Sequence, residues 1–472
     1  MIITRFAPSP TGYIHIGNLR AAIPPYLVAR SSKDGQFLLR IEDTDQARLV
    51  PGATDLILDT LQQLGLAWDG DPIFQTTRKE TYYKYAKELI ASGRAYADST
   101  SPETITGYRD TDKAAKKPFL YRNHRPQDRE EWHPGLPLRF RAEPKAYKYH
   151  DEIMGDLTVS PDTEDDFILI KADGLPTYNF AHIIDDTEMH ITHVMRGVEY
   201  LPSMGNYLAL YEALGLKHPI FAHMPHILGP SGTKKLSKRD GAKSATDYLA
   251  EGILPEALLN FLITLGWNDG TEQELYSREE LIEKFKLSDM QRSSARFDEQ
   301  KLLWLNGQWI RKLYTENPDE LYHRTHNYWP DEAASASEDY KKSVLFCIYD
   351  RLKVLSDLRT ATPYFFTDPQ VDLSLITSNK FLKSFSESQL IDLLRESHTA
   401  LGGTGWTVEN IQSTLNSLLE QTSLKPAQLF SLLRLSITFA PFSPDLALTM
   451  HILDKPTVLA RLAGTLTALS AD

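Results

Sequence analysis

Cysteine is almost missing from this sequence, which contains only Cys347 among its 472 residues. A single cysteine excludes an intrachain disulfide bond and any zinc site built from several thiolates. Cys347 lies in the apolar segment "SVLFCIYDRL". A free cysteine in such surroundings packs as a small apolar side chain, so we predict that Cys347 is buried and structural.

Long apolar runs and low-complexity segments are missing as well. No stretch approaches the roughly 20 apolar residues that a helix needs to span a bilayer. The N-terminal segment "MIITRFAPSP" places Arg5 and Pro8 where a signal peptide has its apolar stretch. We therefore expect a folded, cytoplasmic protein that does not bind membranes, and the length predicts two to four domains.

An excess of positive charge is also missing, since the formal net charge is -12. This balance argues against a generic nucleic-acid coat, whose affinity depends on neutralising phosphates. It leaves room for local basic patches on a nucleic-acid-binding enzyme.

Strand-like and helix-like segments alternate in the first third of the chain. "IITRF" and "QFLLRIEDTD" are typical of strands, and "ATDLILDTLQQLGL" is typical of a helix that ends near Gly65. This alternation predicts a parallel α/β sheet. Residues 79–165 interrupt it with a helix and an irregular Pro-, Arg- and Trp-rich region, and the α/β rhythm returns from residue 166.

After residue 240 the pattern is helical. "LPEALLNFLITLGW" has a proline near its start and a glycine near its end, and Ser277 with Glu280 and Ser386 with Gln389 fit capping boxes. Beyond residue 340 the apolar spacing predicts helices throughout. We expect the linker to this helical region at "YTENPDE" or at "NYWPDEAASASED".

The segment "APSPTGYIHIGNLR" places a Gly/Pro turn between the first strand and a helix. Such turns bind nucleotide phosphates in α/β folds, because the backbone and the helix N-terminus both favour an anion there. His15 and Asn18 would project from the helix start, and Gly17 would let a flat ring approach the backbone. This segment alone leaves an alternative open, in which the histidine makes its hydrogen bonds within the loop and binds no ligand.

A second signal lies at Gly229–Gly241, "GPSGTKKLSKRDG", where four cations crowd one loop. Charge of one sign at this density indicates a polyanionic ligand. A solvated basic loop is the alternative.

Together, "HIGN" and "KLSKR" resemble the HIGH and KMSKS signatures of class I aminoacyl-tRNA synthetases. The segments "TRFAPSPTGYIHIGN", "LLRIEDTDQAR", "DGLPTYNFAHIIDD", "ITHVMRGVEY" and "KKLSKRDGA" narrow the resemblance to the bacterial-type glutamyl-tRNA synthetases, in that family's order. The resemblance spans nearly the whole chain and is strongest over its first two-thirds.

The resemblance implies an α/β Rossmann-like class I catalytic domain at residues 1–78 and 166–240. An α+β insertion at 79–165 would bind the tRNA acceptor end, and a helical region at 241–325 would contact the stem. An all-α anticodon-binding domain would follow at 326–472.

The implied activity is ATP-dependent ligation of L-glutamate to the 3′ end of tRNA(Glu) through a glutamyl-adenylate, with release of AMP and diphosphate. Mg²⁺ would accompany ATP, and the family's usual form is a monomer. Whether tRNA(Gln) is charged as well stays open at this point.

The family pattern also assigns residue roles. Catalysis would involve His15, Asn18, Lys235 and Lys238. The ATP-binding residues would be His15, Gly17, Asn18, Glu199, Leu228, Lys235, Ser237 and Lys238. The glutamate-binding residues would be Arg5, Ala7, Ser9, Glu42, Tyr178, His182 and Arg196.

The sequence departs from the family at three places. Relatives commonly have asparagine where this chain has His182, which puts its contact with glutamate in doubt. Pro24 and Pro25 are expected to shorten or kink the first helix. Asp98 and Thr100 stand where many relatives have zinc-binding cysteines, so we expect no structural zinc.

Basic residues in the insertion would face the tRNA; they are Lys113, Lys116, Lys117, Arg122, Arg125 and Arg129. Four rival interpretations remain. A glutamyl-Q tRNA(Asp) synthetase would lack the helical third, and a glutaminyl enzyme would end in β-barrels. A small nucleotidylyltransferase could share "HIGN" but would not need 472 residues. A catalytically inactive paralogue that only binds tRNA would not need both signature motifs.

Overall fold

The computed structural model describes residues 1–127, 130–236, 243–440 and 444–471. The chain forms two compact units. The first comprises Met1–Leu249 and Pro255–Leu302, and the second comprises Ala250–Leu254 and Leu303–Asp472. Within the described residues, no helix has the length and apolar character needed to cross a membrane.

The first unit contains all the strands of the described residues. They are β1 (Ile3–Phe6), β2 (Gln36–Ile41), β3 (Ile73–Phe74), β4 (Ala95–Ala97), β5 (Leu138–Phe140), β6 (Tyr147–Asp151), β7 (Gly155–Val159), β8 (Ile168–Ile170), β9 (His193–Gly197), β10 (Ile220–Met224), β11 (Ile227–Leu228) and β12 (Ala295–Arg296). Its helices are α1 (Ile16–Arg30), α2 (Ala53–Gln63), α3 (Lys79–Ala91), α4 (Pro102–Ala114), α5 (Tyr178–Glu188), α6 (Met204–Ala213), α7 (Ala245–Ala250), α8 (Pro255–Thr264) and α9 (Arg278–Lys284).

Two groups of strands build the central layer of this unit. β1, β2 and β3 pair in parallel, and the second sheet has the order β7-β6-β10-β9, in which only β7 runs antiparallel to its neighbour. The two sheets meet at their edge strands β1 and β9. There the amide of Thr192, just before β9, donates a 2.8 Å hydrogen bond to the carbonyl of Ile3 in β1. The parallel α/β arrangement predicted for this part of the chain is therefore present.

The strand pairing crosses the boundary that the sequence suggested at residue 165. β6 and β7 precede that boundary but join β10 and β9, whereas β8 follows it and pairs with β5 in a separate antiparallel sheet, β4-β5-β8. The extent of an acceptor-binding insertion stays a prediction.

Helix α1 runs without interruption through Pro24 and Pro25. The expected shortening is therefore wrong, and the expected kink stays a prediction. Both prolines are buried, so their packing stabilises the helix although Pro25 supplies no amide hydrogen. The Pro25 carbonyl accepts a 2.7 Å hydrogen bond from the Thr4 hydroxyl, which ties the helix to β1.

The second unit contains helices and loops but no strand among its described residues. Its helices are α10 (Glu299–Glu316, which begins before this unit), α11 (Pro318–Arg324), α12 (Glu338–Ile348), α13 (Leu358–Ala361), α14 (Pro363–Phe366), α15 (Ser374–Thr377), α16 (Glu387–Gly402), α17 (Val408–Thr422), α18 (Pro426–Thr438), α19 (Leu446–Leu453) and α20 (Lys455–Leu469). Leucine-rich faces of α16–α20 form its core. Cys347 is buried in that core, as predicted.

Candidate active site

A cavity of about 430 Å³ opens where several parallel strands of the first unit end. Ala7, Glu42 and Pro225, which follow β1, β2 and β10, line it together with Gly197, the last residue of β9. The carboxyl edge of a parallel sheet is the usual ligand site in α/β folds. The cavity also includes the start of α1, whose helix dipole favours an anion.

Most of the predicted site residues lie on this one cavity. Those that line it are Arg5, Ala7, Ser9, His15, Gly17, Asn18, Glu42, Tyr178, Arg196, Glu199 and Lys235. His182 and Leu228 are not part of the lining. Ser237 and Lys238 lie outside the described residues.

His15 is the N-cap of α1. Its Nδ1 accepts hydrogen bonds from the amides of Gly17 at 3.1 Å and Asn18 at 3.3 Å. An imidazole nitrogen that accepts carries no hydrogen, so this geometry places the hydrogen of a neutral His15 ring on Nε2. The turn therefore orients the imidazole through the first amides of the helix.

Arg5 is fixed beneath the cavity by an aspartate that the sequence did not single out. Its Nε and Nη2 donate to the two carboxylate oxygens of Asp186 at 2.9 and 3.2 Å, and Arg40 Nη1 donates to the same carboxylate at 2.6 Å. Burial would raise the pKa of Asp186, but Arg40 and Arg5 outweigh it and hold that pKa well below its usual range. Arg40 also lies within ion-pair distance of Glu42 and Asp185, so Arg5 belongs to a buried network of alternating charges.

Glu42 follows β2 and accepts a 3.0 Å hydrogen bond from Arg40 Nη2. Burial raises the pKa of its carboxyl, and Arg40 opposes that shift. This is an acidic group on the same cavity as Arg5 and Arg196. The cavity thus offers both cations and an anion, as recognition of an amino acid requires.

Arg196, on β9, is held by three acceptors that carry no formal charge. Its Nε donates to His223 Nε2 at 3.1 Å, its Nη1 lies 3.3 Å from His182 Nε2, and its Nη2 lies 3.1 Å from the sulfur of Met204. The guanidinium also packs over the Tyr200 and Tyr207 rings.

His182 lies behind the cavity wall. It stacks on Tyr178, with ring centroids 4.7 Å apart, and its Nδ1 donates to the Tyr178 carbonyl at 2.8 Å. Burial and the neighbouring Arg196 cation hold its pKa well below the usual range. A neutral ring with Nδ1 protonated leaves Nε2 as the acceptor for Arg196.

Glu199 and Lys235 form a 2.8 Å ion pair at the cavity mouth. Burial would raise the pKa of Glu199, but the hydrogen bond from Lys235 outweighs it and lowers the pKa. Leu228 lies on β11 and bridges to Lys235 through its backbone. The described part of the basic loop is thereby joined to the wall of the cavity.

Arg20 is a second residue that the sequence did not single out, although it ends the quoted segment "APSPTGYIHIGNLR". It is 5% exposed, lines the cavity, and donates to the Pro225 carbonyl at 2.6 Å. Burial lowers its pKa to about 10, so it is protonated at neutral pH. From the sequence alone, Arg20 could not be distinguished from an arginine on an exposed helix surface.

Asp98 and Thr100 lie in a closed polar cluster rather than in an open metal-ligand set. The Tyr121 hydroxyl donates to Asp98 at 2.8 Å and lies 3.0 Å from the Thr100 hydroxyl, and Arg139 pairs with the same carboxylate. Across the part of the chain that the structure describes, no group of three or more His, Cys, Asp or Glu side chains is arranged to hold a metal ion.

The basic residues predicted to face the tRNA differ in their surroundings. Arg125 pairs with Asp166 at 2.6 Å, and Arg122 donates to the Pro161 carbonyl at 3.1 Å, so both make contacts within the fold. Lys113, Lys116 and Lys117 are exposed. Arg129 lies outside the described residues.

Comparison with known proteins agrees with this geometry. A family model described as "tRNA synthetases class I (E and Q), catalytic domain" matches residues 1–304, and an "Anticodon binding domain" model matches residues 320–466. The chain is 38% identical to a glutamate--tRNA ligase of Clostridium botulinum, covering 97% of this chain and 96% of that protein. It is 37% identical to the glutamate--tRNA ligase of Dehalococcoides mccartyi, covering 99% and 97%.

Solved structures give the same result. A glutamate tRNA ligase from Elizabethkingia meningosepticum, in complex with its amino acid, superposes with a TM-score of 0.86 at 31% identity over 99% of both chains. A glutamate-tRNA synthetase from Elizabethkingia anophelis superposes with a TM-score of 0.84 at 30% identity, again over 99% of both. The chain therefore belongs to the glutamate--tRNA ligase family of class I tRNA synthetases.

Proposed function

We propose that this chain ligates L-glutamate to the 3′ end of tRNA(Glu), using ATP to form a glutamyl-adenylate and releasing AMP and diphosphate. The observation that carries the proposal is the shared cavity. It brings the capped start of α1 together with Arg5, Arg196 and Glu42. The names of the relatives support the same reaction.

Glutamate would bind at the inner end of the cavity. Arg5, Arg196 and Tyr178 would take its carboxylates, Glu42 would take its ammonium group, and Ala7 and Ser9 would lie alongside. A planar guanidinium matches a carboxylate in shape and charge. Glutamine would leave that charge unpaired, which favours glutamate.

ATP would bind at the start of α1. His15 and Asn18 would contact its phosphates, Gly17 would lie under the adenine, and Glu199 and Leu228 would border the nucleotide. The α-phosphate and the glutamate carboxylate repel each other, so catalysis depends on positive charge placed where the transition state forms. Lys235, Ser237 and Lys238 would supply that charge and polarity from the basic loop.

Mg²⁺ would enter with ATP and be held mainly by phosphate oxygens and water, as is usual for this ion. We expect no structural zinc, because the Asp98 carboxylate is neutralised by Arg139. The helical domain would bind the anticodon. Lys113, Lys116 and Lys117, which are exposed, would face the acceptor end, together with Arg122, Arg125 and Arg129. We expect a monomer that acts in the cytoplasm without membrane attachment.

The test is transfer of labelled glutamate onto purified tRNA(Glu) and, separately, tRNA(Gln), with ATP and Mg²⁺. Charging of tRNA(Glu) alone means a discriminating enzyme, and charging of both means that an amidotransferase must complete the glutaminyl product. Charging of neither would contradict the proposal and favour an inactive paralogue.

A matched pair of variants tests the role of the loop. Lys235→Ala should lower kcat/KM about 100-fold, the effect of removing one donor to a developing charge. Lys234→Ala, its exposed neighbour, should leave kcat/KM within about threefold of wild type. Equal effects would mean that Lys235 has no special role.

A further inference from the structure

Behind the cavity, three buried side chains on three strands form a continuous hydrogen-bonded row. Asp151 ends β6, His223 lies on β10 and Arg196 lies on β9. Their exposed fractions are 0%, 0% and 5%. Asp151 Oδ2 lies 2.6 Å from His223 Nδ1, and His223 Nε2 accepts from Arg196 Nε at 3.1 Å.

The carboxylate at the far end is fixed by the backbone. Asp151 Oδ1 accepts from the amides of Ile153 at 3.1 Å, Met154 at 2.9 Å and His223 at 3.2 Å. These three bonds fix the carboxylate, so that Oδ2 is directed at Nδ1 of the His223 imidazole. A carboxylate can only accept, so His223 must carry its hydrogen on Nδ1 and present Nε2 as an acceptor to Arg196.

Arg196 differs from Arg5 in what neutralises it. Arg5 pairs directly with the Asp186 carboxylate. Arg196 contacts the imidazole nitrogens of His223 and His182, and it has no acidic partner within ion-pair distance among the described residues. A neutral acceptor fixes the direction of a guanidinium without cancelling its charge. The Asp151 carboxylate is separated from the Arg196 guanidinium by the His223 imidazole, so the two charges are not in direct contact.

We propose that His223, locked in one tautomer by Asp151, is a positioning residue that aims Arg196 at the substrate carboxylate while leaving its charge available. This proposal rests on the proposed function, in which Arg196 binds glutamate. His223 and Asp151 do not line the cavity, so they act only through Arg196.

Two substitutions at one position separate the two hydrogen bonds of the ring. His223→Gln places an amide oxygen near the position of Nε2, where it can accept from Arg196. His223→Asn places an amide nitrogen near the position of Nδ1, where it can donate to Asp151 but cannot reach Arg196. If His223 matters only through its hydrogen bond to Asp151, the Asn variant should retain more activity than the Gln variant. If His223 matters by orienting Arg196, the Gln variant should retain more.

The experiment measures aminoacylation of tRNA(Glu) by the full-length protein, with KM determined separately for glutamate and for ATP. His223→Asn should raise the KM for glutamate about tenfold to hundredfold, as expected for a lost hydrogen bond to a charged group, without changing the KM for ATP. His223→Gln should stay within about threefold of wild type. His193→Asn, on β9 but bonded to Thr192, is the control that should change neither KM.

An unchanged glutamate KM in a folded His223→Asn variant, or an equal rise in the Gln variant, would overturn the proposal. Arg196→Ala separates this failure from failure of the proposed function. If Arg196→Ala leaves the glutamate KM unchanged, Arg196 does not bind glutamate and both proposals fall. If it raises that KM and His223→Asn does not, only the positioning role is wrong.

If the His223→Asn variant does not fold, the Asp151→Asn variant is used instead. Its amide can donate to His223 Nδ1, which moves the imidazole hydrogen to Nε2 and directs it at Arg196 Nε. The glutamate KM should then rise while the ATP KM stays unchanged. A glutamate KM equal to that of wild type in Asp151→Asn would contradict the proposal that Asp151 holds His223 in one tautomer.

Discussion

Arg5 and Asp186 are 181 positions apart in sequence and form a two-point ion pair beneath the cavity, with N–O distances of 2.9 and 3.2 Å. Arg40 donates to the same carboxylate. The arrangement fixes the plane of the Arg5 guanidinium before any substrate arrives. Preorganised charge of this kind costs no rearrangement during the reaction.

Replacing that carboxylate should therefore harm both stability and binding. Asp186→Asn leaves the buried Arg5 guanidinium without its carboxylate partner, whereas Arg40 keeps Glu42 and Asp185. Loss of one partner of a buried ion pair typically costs about 3–5 kcal/mol, so the urea midpoint should fall clearly. The KM for glutamate should rise as well.

Asp173→Asn is the control for this variant, because Asp173 forms an exposed pair with Lys171. Exposed pairs contribute about 1 kcal/mol or less. A urea midpoint for Asp186→Asn equal to that of Asp173→Asn would contradict the role of Asp186.

Gly17 tests the geometry of the α1 cap. A Cβ at this position would lie 2.9 Å from His15 Cε1 and 3.0 Å from Nδ1, so the imidazole must move off the helix start. A displacement of about 1 Å can cost on the order of 100-fold in rate, and we expect that loss in kcat/KM for ATP from Gly17→Ala.

Gly12, in the same loop, gives a matched control. Nothing lies within 4 Å of a Cβ built there. Gly12→Ala should therefore retain kcat/KM for ATP within about threefold of wild type. If the two variants behave alike, the position of His15 does not control ATP use.

His182 should make stability depend on pH. Because its pKa in the folded state is held well below the usual range, the folded chain keeps the imidazole neutral. Below about pH 6.5 the unfolded chain binds a proton that the folded chain does not, so stability is lost as the pH falls from there towards the folded-state pKa. His182→Asn removes this contribution.

The measurement is the free energy of unfolding in urea at about pH 7.5 and about pH 5.5. Wild type should lose more stability over this interval than His182→Asn. His150→Asn provides a control of opposite sign, because a hydrogen bond to Asp156 raises the pKa of the exposed His150. Identical losses in wild type and His182→Asn would show that His182 does not titrate differently on folding.

The Asp98 cluster should stabilise the fold without a metal. Asp98 is 2% exposed and pairs with Arg139, so Asp98→Ala leaves a buried cation and should cost about 3–5 kcal/mol. A chelator should leave the thermal midpoint of the wild type unchanged. A lower midpoint with chelator, or one equivalent of zinc in the purified protein, would contradict this account.

Local patterns in the sequence predicted much of the fold. The first strand–turn–helix unit, the end of α2 near Gly65, the helix at Pro255–Thr264 and both capping boxes are all present. Each depends on residues within one or two turns of one another. The burial of Cys347 followed from its apolar neighbours.

Long-range pairing was beyond such patterns. β8 pairs with β5, and β6 pairs with β10. The paired strands are far apart in sequence, and no local residue pattern predicts such pairing. The same holds for the groups that support the site. Asp186 under Arg5, and His223 beside Arg196, meet their partners only because neighbouring strands and helices pack together.

We propose that the cavity lined by Arg5 and Arg196 selects glutamate as the substrate. The most direct test is competition between glutamate and glutamine for charging of tRNA(Glu) by the wild-type protein. The claim predicts a preference for glutamate of about 10⁴-fold in kcat/KM, because glutamine leaves buried polar groups unpaired. Comparable kcat/KM values for the two amino acids, or a preference for glutamine, would contradict it.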